Sequence, residues 1–310
     1  MRGRPTPSTP ERLFKPFFDA IDATVLIPSN QPIQHVISLT GNAHLRFPLQ
    51  LEATASLLDH LRATDHAPSS SRFGAFCDNV LGMNWQLPDG RCVRIGEQVV
   101  KSTTGYDWFR FLLHTDGRFG HPTDYVLRLR PDCGYWISAS FEGSATTLSS
   151  LIPLLLRSGW MHWWDSVDLL TDTGRQTCRV AINCPPDETH LFESELSRVA
   201  TLSGTHLHLV AQTGPPLDGL PDLSIKTTPD RAERLAQSLI SQGIRTVSLL
   251  YSGVVHAYTA SPDCIPSLIQ PLEKELFEQG GHWISRHLPP VPCAPLEEPW
   301  LESLRQHLAL

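Results

Sequence analysis

Residues 135–212 read YWISASFEGSATTLSSLIPLLLRSGWMHWWDSVDLLTDTGRQTCRVAINCPPDETHLFESELSRVATLSGTHLHLVAQ, and their pattern decides the fold. Apolar residues alternate with polar ones in YWISASFE (135–142), as in a strand, and then recur at helical spacing up to Gly159. Two strands follow around the turn TDTGRQ, and a second helix and a last strand complete the stretch. The later strands are expected at 160–170, 178–184 and 205–212, and the second helix at 186–204. The stretch therefore predicts the order β-α-β-β-α-β.

The same order of elements returns in residues 223–288. A strand leads into a helix that Gly243 ends, two strands pair around Ser252-Gly253, and a second helix precedes the last strand. Each half is the split βαβ unit of the ferredoxin-like kind, and two such units either bury their sheets under their helices or join edge to edge. We expect residues 132–310 to form an α+β domain with two halves that superpose.

Composition limits the classes of protein to consider. A chain of 310 residues predicts about two domains, and 41% hydrophobic with 18% charged residues excludes a disordered chain. The net charge of −7 argues against nucleic acid or an anionic membrane surface as a partner. The apolar runs are too short for a membrane span, and seven scattered cysteines without a C-x-x-C pair favour a reducing, cytoplasmic location.

The chain before residue 132 has a different, irregular pattern. Residues 1–21 carry basic residues without an apolar core of a signal peptide, and we expect a disordered leader. Residues 22–131 form the expected first domain. Its expected strands are 25–29, 35–39, 44–49 and 123–131, with a hairpin over 83–96 and helices over 51–63 and 106–113.

Motifs of common catalytic sites do not occur in the sequence. It contains no G-x-S-x-G, P-loop, G-x-G-x-x-G or H-E-x-x-H string. His206 and His208 would share one strand face but have no third ligand nearby, so we expect no metal site. The aromatic residues Trp160, Trp163 and Trp164 are expected to be core residues, with substrate stacking as the alternative.

Two strings in the first domain carry a family resemblance: SSSRFGAFCDNVLGMNWQLPDGR (69–91) and VVKSTTGYDWFRFLLHTDGRFGHPTDYVLRLRP (99–131). They resemble the PCMH-type FAD-binding domain of the vanillyl-alcohol-oxidase group of FAD-linked oxidases, and most closely the FAD-binding small subunit of glycolate oxidase. The positions that match and are expected to bind the cofactor are Arg72, Gly74, Asp78, Lys101, Gly105, Tyr106, Asp107, Gly117 and Gly120.

The resemblance implies a reduced FAD-binding domain over 22–131 and a cap over 132–310 that covers the flavin. Glycines allow close approach of the backbone to a diphosphate and an adenosine. Lys101 could neutralise a phosphate, and Tyr106 could stack or hydrogen-bond. The family's pyrophosphate loop is not recognisable in residues 1–40, and Asp116 lies beside the glycines, so we expect weak retention of FAD.

Two functions follow from the resemblance. The first is an FAD-dependent oxidoreductase subunit that oxidises a 2-hydroxy acid together with a larger flavoprotein and an iron–sulfur subunit. The second is a non-catalytic relative that serves as an assembly or regulatory subunit. No catalytic residue can be assigned from the sequence.

The shortened first domain also predicts an exposed apolar surface. It would include side chains around 25–27 and 36–39 and would serve as an interface in a hetero-complex or a homodimer. Alternatively, the leader with Leu13, Phe14, Phe17 and Phe18 folds over this surface.

Overall fold

The chain folds around two antiparallel sheets that lie in consecutive parts of the sequence. The structure is a computed structural model that describes residues 16–96, 112–113, 119–157, 159–211, 218–278 and 280–288. One sheet has five strands and lies in the first part, and the other has eight strands and lies in the second. Within the described residues, the mixture of helices and antiparallel strands confirms the predicted α+β class.

The first part is built on the five-stranded sheet, in the order β1-β2-β6-β4-β5. Its strands are β1 (Phe17–Asp19), β2 (Thr24–Pro28), β4 (Val80–Gln86), β5 (Cys92–Gly96) and β6 (His121–Arg128). A small separate pair joins β3 (Leu45–Arg46) to β7 (Arg130–Pro131). The helices are α1 (Gln34–Thr40), α2 (Leu57–Ala63) and α3 (Ser70–Phe73), with 3₁₀ turns at Gly41–Ala43 and Phe76–Asn79.

Three local predictions for this part are wrong. The strand expected at 35–39 is helix α1, whose residues Val36 and Thr40 are buried at helical spacing. The β-branched residues suggested a strand because they favour one, but packing outweighs that preference. The helix expected at 51–63 begins at Leu57, because Ser56 and Asp59 form a capping box there. Of the strand expected at 44–49, only β3 is paired.

The expected exposed apolar surface is wrong for 25–27 and for Val36, although Ile37 and Leu39 are exposed. Val25, Ile27 and Val36 are fully buried, and they belong to one core with Trp85 and Tyr125. These side chains therefore stabilise the first part of the chain itself.

The second part contains two copies of the β-α-β-β-α-β order. The first copy has β8 (Tyr135–Glu142), α4 (Ala145–Arg157), β9 (Ser166–Asp172), β10 (Arg175–Cys184), α5 (Thr189–Ser203) and β11 (His206–Ala211). The second has β12 (Leu223–Lys226), α6 (Pro229–Ser241), β13 (Arg245–Leu249), β14 (Val254–Tyr258), α7 (Ile265–Glu278) and β15 (His282–Ser285). Short 3₁₀ turns, Pro186–Glu188 and Pro262–Cys264, precede α5 and α7.

The two copies join edge to edge in one sheet with the order β11-β8-β10-β9-β13-β14-β12-β15. Each copy places its fourth strand beside the first, and its third between the first and second. The second strands, β9 and β13, form the joint, where Thr171 pairs with Thr246 and Asp168 with Leu249. A continuous antiparallel ladder therefore connects the two copies.

The two faces of the large sheet have different chemistry because side chains alternate along each strand. On one face, Val180 and Ile182 pack in a core with Leu151 of α4 and Phe192 of α5. The neighbouring residue Arg179 lies on the other face. That face meets the first part of the chain and carries buried polar groups.

The connection from helix to strand differs between the copies. In the second copy, residues 242–244 connect α6 to β13, whereas residues 158–165 connect α4 to β9 in the first. The strand expected at 160–170 therefore begins only at Ser166. Trp164 anchors the longer connection, because its side chain is buried and its Nε1 donates a hydrogen bond of 3.1 Å to the carbonyl oxygen of Leu155.

Gly120 is required where it enters β6. Its φ is +111°, and a Cβ atom would lie 1.9 Å from the carbonyl oxygen of Gln86 in β4. We expect Gly120→Ala to lower the free energy of unfolding by about 2–5 kcal/mol, from backbone strain plus overpacking. Chemical denaturation measures this loss. Gly90→Ala is the matched control, since Gly90 also has a positive φ, +85°, but has nothing within 4 Å. Equal losses in both variants would contradict the steric argument.

Candidate functional site

A cleft of about 400 Å³ opens where the two parts of the chain meet. The first part contributes residues of α3 and β7, and the second contributes the long α4–β9 connection and the β13–β14 hairpin. The residues that line the cleft are Ser71, Arg72, Phe73, Arg130, Met161, His162, Trp164 and Tyr251. This described lining contains two arginines and a histidine but no acidic residue.

The carboxylate of Asp165 binds Arg72 and so holds α3 beside the cleft. This carboxylate is fully buried, and Oδ1 accepts hydrogen bonds from Arg46 Nη2 at 2.8 Å and from Arg72 Nη1 at 3.0 Å. Oδ2 accepts the backbone N–H of Asn183 at 2.6 Å. Because both arginines belong to the first part and Asp165 to the second, this carboxylate joins the two parts by charge-assisted hydrogen bonds.

Aromatic rings hold the same arginines in place. The guanidinium of Arg72 lies 4.9 Å from the ring centroid of Phe73, and that of Arg46 lies 5.3 Å from it. Arg46 also lies 4.9 Å from the ring of Trp136 on β8. Cation–π contacts of this kind restrict the planes of both guanidinium groups.

Arg130 has no such compensation. Its Nε is buried and has no hydrogen-bond partner among the described residues. Burial, with the charges of Arg128 and Arg72 nearby, lowers the pKa of Arg130. Tyr251 Oη is buried and has no partner in the described residues, and burial raises the pKa of Tyr251 to about 12, so the phenol is neutral.

The structure describes four of the nine predicted cofactor-binding residues. Arg72 lines the cleft. Gly74, with φ +83°, ends α3, and the carboxylate of Asp78 accepts the N–H of Ala75 at 2.8 Å. Gly120 lies against the backbone of β4. The predictions for Lys101, Gly105, Tyr106, Asp107 and Gly117 lie outside the described residues, and cofactor binding by all nine stays a prediction.

Sequence reasoning missed most residues of the site, among them Arg130, His162 and Asp165. A signal for Arg130 was present, because TDYVLRLRP (123–131) alternates apolar and basic residues, as in a strand with a solvated face. His162 and Asp165 gave no signal, because the stretch 160–170 had the composition of a strand.

The face of the large sheet toward the first part carries a chain of alternating charges. Arg179 donates to Asp168 at 2.5 Å and to Asp218 at 2.6 Å, and Asp218 also accepts from Arg245. Although burial opposes it, the carboxylates of Asp168 and Asp218 raise the pKa of Arg179. The four charges cancel in pairs, so this cluster is compensated internally.

His256 lies buried on the same face. Its Nε2 is 3.2 Å from Oγ1 of Thr64, which is also 3.0 Å from Ser224 Oγ. Burial lowers the pKa of His256 to about 4, with a small opposing effect of Asp218. The imidazole is therefore neutral at pH 7, in a contact between the two parts of the chain.

The described ranges give no sign of a metal centre or of a membrane helix. No group of three or more His, Cys, Asp or Glu side chains in them is placed to hold a metal ion. Among these residues, no helix has the length and apolar character needed to cross a bilayer.

Comparison with known proteins gives several partial similarities. No family model matches the chain. An uncharacterized FAD-linked oxidoreductase of Mycobacterium tuberculosis is 29% identical over 144 residues, 46% of this chain and 31% of that protein. D-2-hydroxyglutarate dehydrogenase of Xanthomonas citri pv. viticola is 25% identical over 122 residues, 38% of this chain and 26% of the relative. The glycolate oxidase subunit GlcD of Bacillus subtilis is 26% identical over 104 residues, 32% and 22% of the two chains.

These similarities support an FAD-linked oxidase family for the chain. The chain spans less than a third of the length of the curated relatives that it matches. The activity, substrates and partners of the whole proteins are therefore treated as proposals below.

Removal of the Asp165 carboxylate should destabilise the chain strongly. Asp165→Ala leaves Arg46 and Arg72 without their shared partner, and we expect a loss of about 3–5 kcal/mol in the free energy of unfolding. Urea denaturation of the full chain measures it. The control is Glu142→Ala, which breaks an exposed ion pair with Arg175 and should cost under about 1 kcal/mol. A loss for Asp165→Ala as small as for the control would refute this role.

His256 should make the chain less stable in mild acid. Because its pKa is about 4 when folded and 6.5 in the reference state, the unfolded chain binds more protons between these values. The contribution of His256 to the free energy of unfolding is complete above pH 6.5. It falls as the pH falls, by on the order of 2 kcal/mol at pH 5. Urea denaturation at pH 7 and pH 5 should show a smaller loss for His256→Gln than for the wild type. Identical losses would argue against a buried neutral His256.

Proposed function

We propose that the chain is an FAD-linked oxidoreductase that acts on a 2-hydroxy acid, as a subunit of a glycolate-oxidase type of assembly. The observation that carries the proposal is the cleft at the meeting of the two parts, because its described lining is cationic and partly aromatic. Sites between domains are a preferred location for ligands. Hydroxy acids are anionic, and the names of two relatives include a hydroxy acid substrate.

The residues of the cleft fit a flavin cofactor in their chemistry. FAD combines a planar ring system with anionic phosphates. Phe73 offers aromatic surface, and Arg72 offers N–H donors with positive charge. The predicted cofactor motif begins at Arg72, so it reaches this cleft. When bound, FAD supplies the acceptor for the hydride that a hydroxy acid loses on oxidation.

The chain's own residues would bind the acid and accept its proton. Oxidation of a 2-hydroxy acid also releases the proton of the hydroxyl group, which needs a base within hydrogen-bond reach. Among the residues that line the described cleft, His162 carries the side chain most often used as a general base. We assign His162 the role of accepting this proton through a ring nitrogen.

The alternative, a non-catalytic assembly or regulatory relative, has less support. The relatives' names describe oxidoreductases and dehydrogenases. A cytoplasmic location and an assembly with a larger flavoprotein and an iron–sulfur subunit, or a homodimer, remain part of the proposal. The relative named as a glycolate oxidase subunit supports the assembly.

The direct test adds FAD to the purified full chain and then a hydroxy acid without oxygen. We expect D-2-hydroxyglutarate, D-lactate or glycolate to bleach the flavin absorption band, whereas 1-propanol, which lacks a carboxylate, leaves it unchanged. The rate of bleaching in a stopped-flow instrument gives the rate of the chemical step. A chain that binds FAD but is not reduced by any hydroxy acid would favour the non-catalytic alternative.

Variants of His162 test the assigned base. We expect His162→Gln to slow flavin reduction by about 10²–10⁴-fold without loss of FAD, since general base catalysis contributes that much. His206→Gln is the control, because His206 is an exposed histidine on β11. An unchanged rate in His162→Gln would remove His162 from the mechanism without excluding the oxidoreductase function.

A further inference from the structure

We propose that Arg130 and Arg72 together bind the carboxylate of a small organic acid in the cleft, an inference that rests on the proposed function. The two arginines come from β7 and α3 of the first part, and residues of the second part line the same cleft. The ligand class is a carboxylic acid with a short organic chain. Four observations support this assignment.

The first observation is that no described residue compensates the charge of Arg130. Its buried Nε has no partner in the described residues, and no ion pair in them includes it. Arg128 and Arg72 add positive charge nearby, and both act in the same direction as burial in lowering the pKa of Arg130. A partly buried cation beside other cations is unfavourable unless an anion pairs with it.

The second observation is that the acidic group that pairs with Arg72 is already shared. Asp165 Oδ1 accepts from both Arg46 and Arg72, so one carboxylate serves two guanidinium groups. The described lining contains no acidic residue, so none of these side chains supplies a negative charge to Arg130.

The third observation is that Arg72 is held in a fixed orientation and has N–H donors that no described residue uses. Its hydrogen bonds to Asp165 and to the carbonyl oxygen of Trp163 both use Nη1. Its stacking on Phe73 restricts the plane of the group. A guanidinium has five N–H donors, so those on Nε and Nη2 remain for a ligand. A preorganised donor binds at a smaller entropic cost.

The fourth observation concerns shape. The planar fork of a guanidinium matches the two oxygens of a carboxylate. At about 400 Å³, the cleft lies toward the small end of ligand pockets, and Trp164 and Phe73 provide apolar walls for the carbon chain of the acid. A phosphate group of FAD shares the oxyanion chemistry, and the experiment below separates the two sources.

The test is isothermal titration calorimetry on the full chain without added FAD. Glycolate and oxalate are the carboxylate probes, and inorganic phosphate is the alternative oxyanion. We expect Arg130→Met and Arg72→Met each to weaken carboxylate binding by about 10- to 100-fold, since each removes charged hydrogen bonds. Arg130→Lys should recover only part of the affinity, because an ammonium group cannot form the fork.

Arg128→Met is the matched control. Arg128 lies on the adjacent strand β6, and its charge acts on Arg130, but it does not line the cleft. Removal of its charge should therefore weaken carboxylate binding by less than about threefold, because solvent ions screen a charge that does not contact the ligand. An effect equal to that of Arg130→Met would mean that only the general field attracts the anion, which overturns the proposed contact.

Three further results would also overturn the proposal. They are no binding of either carboxylate, binding of phosphate alone, and loss of FAD affinity in Arg130→Met with unchanged glycolate affinity. The last would assign the arginine to the cofactor. Failure of the proposed function looks different: carboxylates bind and depend on Arg130, but no hydroxy acid reduces added FAD. Circular dichroism of each variant confirms that a loss of binding is not a loss of folding.

Discussion

The relation between the two parts of this chain depends on one buried carboxylate. Asp165 is fully enclosed, and it accepts hydrogen bonds from Arg46, from Arg72 and from the backbone of the large sheet. A buried carboxylate is costly unless several donors satisfy it, so this arrangement is stable only when both parts are in place. The same contact holds Arg72 at the rim of the cleft. The position of a candidate ligand-binding arginine is thus a consequence of the contact that joins the two parts.

The order of elements in the second part was predictable because its sequence repeats two simple periodicities. Alternation identifies strands such as β8, and helical spacing with Ser144 before α4 and Gly204 after α5 identifies the helices and their ends. The first part was less predictable, because its elements are short. Helix α1 has β-branched residues typical of strands, and burial of Val36 in the core of the first part favours the helix instead. The edge-to-edge joint of β9 and β13 depends on long-range pairing that no local pattern contains.

The site was partly predictable for a similar reason. Arg72 was found through a motif that can be compared position by position. Gly74 and Asp78 belong to the same motif, and the structure places them in the segment that follows α3. Arg130 and Asp165 come together only through folding, because 35 positions of sequence and a change of domain separate them. The sequence, with its net charge of −7, does not show that Arg130 lacks an acidic partner among the described residues of the folded chain.

The two copies differ in the connection from helix to strand. The sheet serves as the framework, whereas the longer connection of the first copy lines the cleft. The second copy keeps the short connection 242–244, whereas the first carries the longer connection 158–165 with Met161, His162 and Trp164 at the cleft. Loops tolerate substitution and changes of length better than the strands they connect. Diversification of this one segment could therefore alter what the cleft accepts while the eight-stranded framework stays intact. The sheet formed by the two copies would then stay constant while the loop changes, and ligand preference could evolve without a large loss of stability.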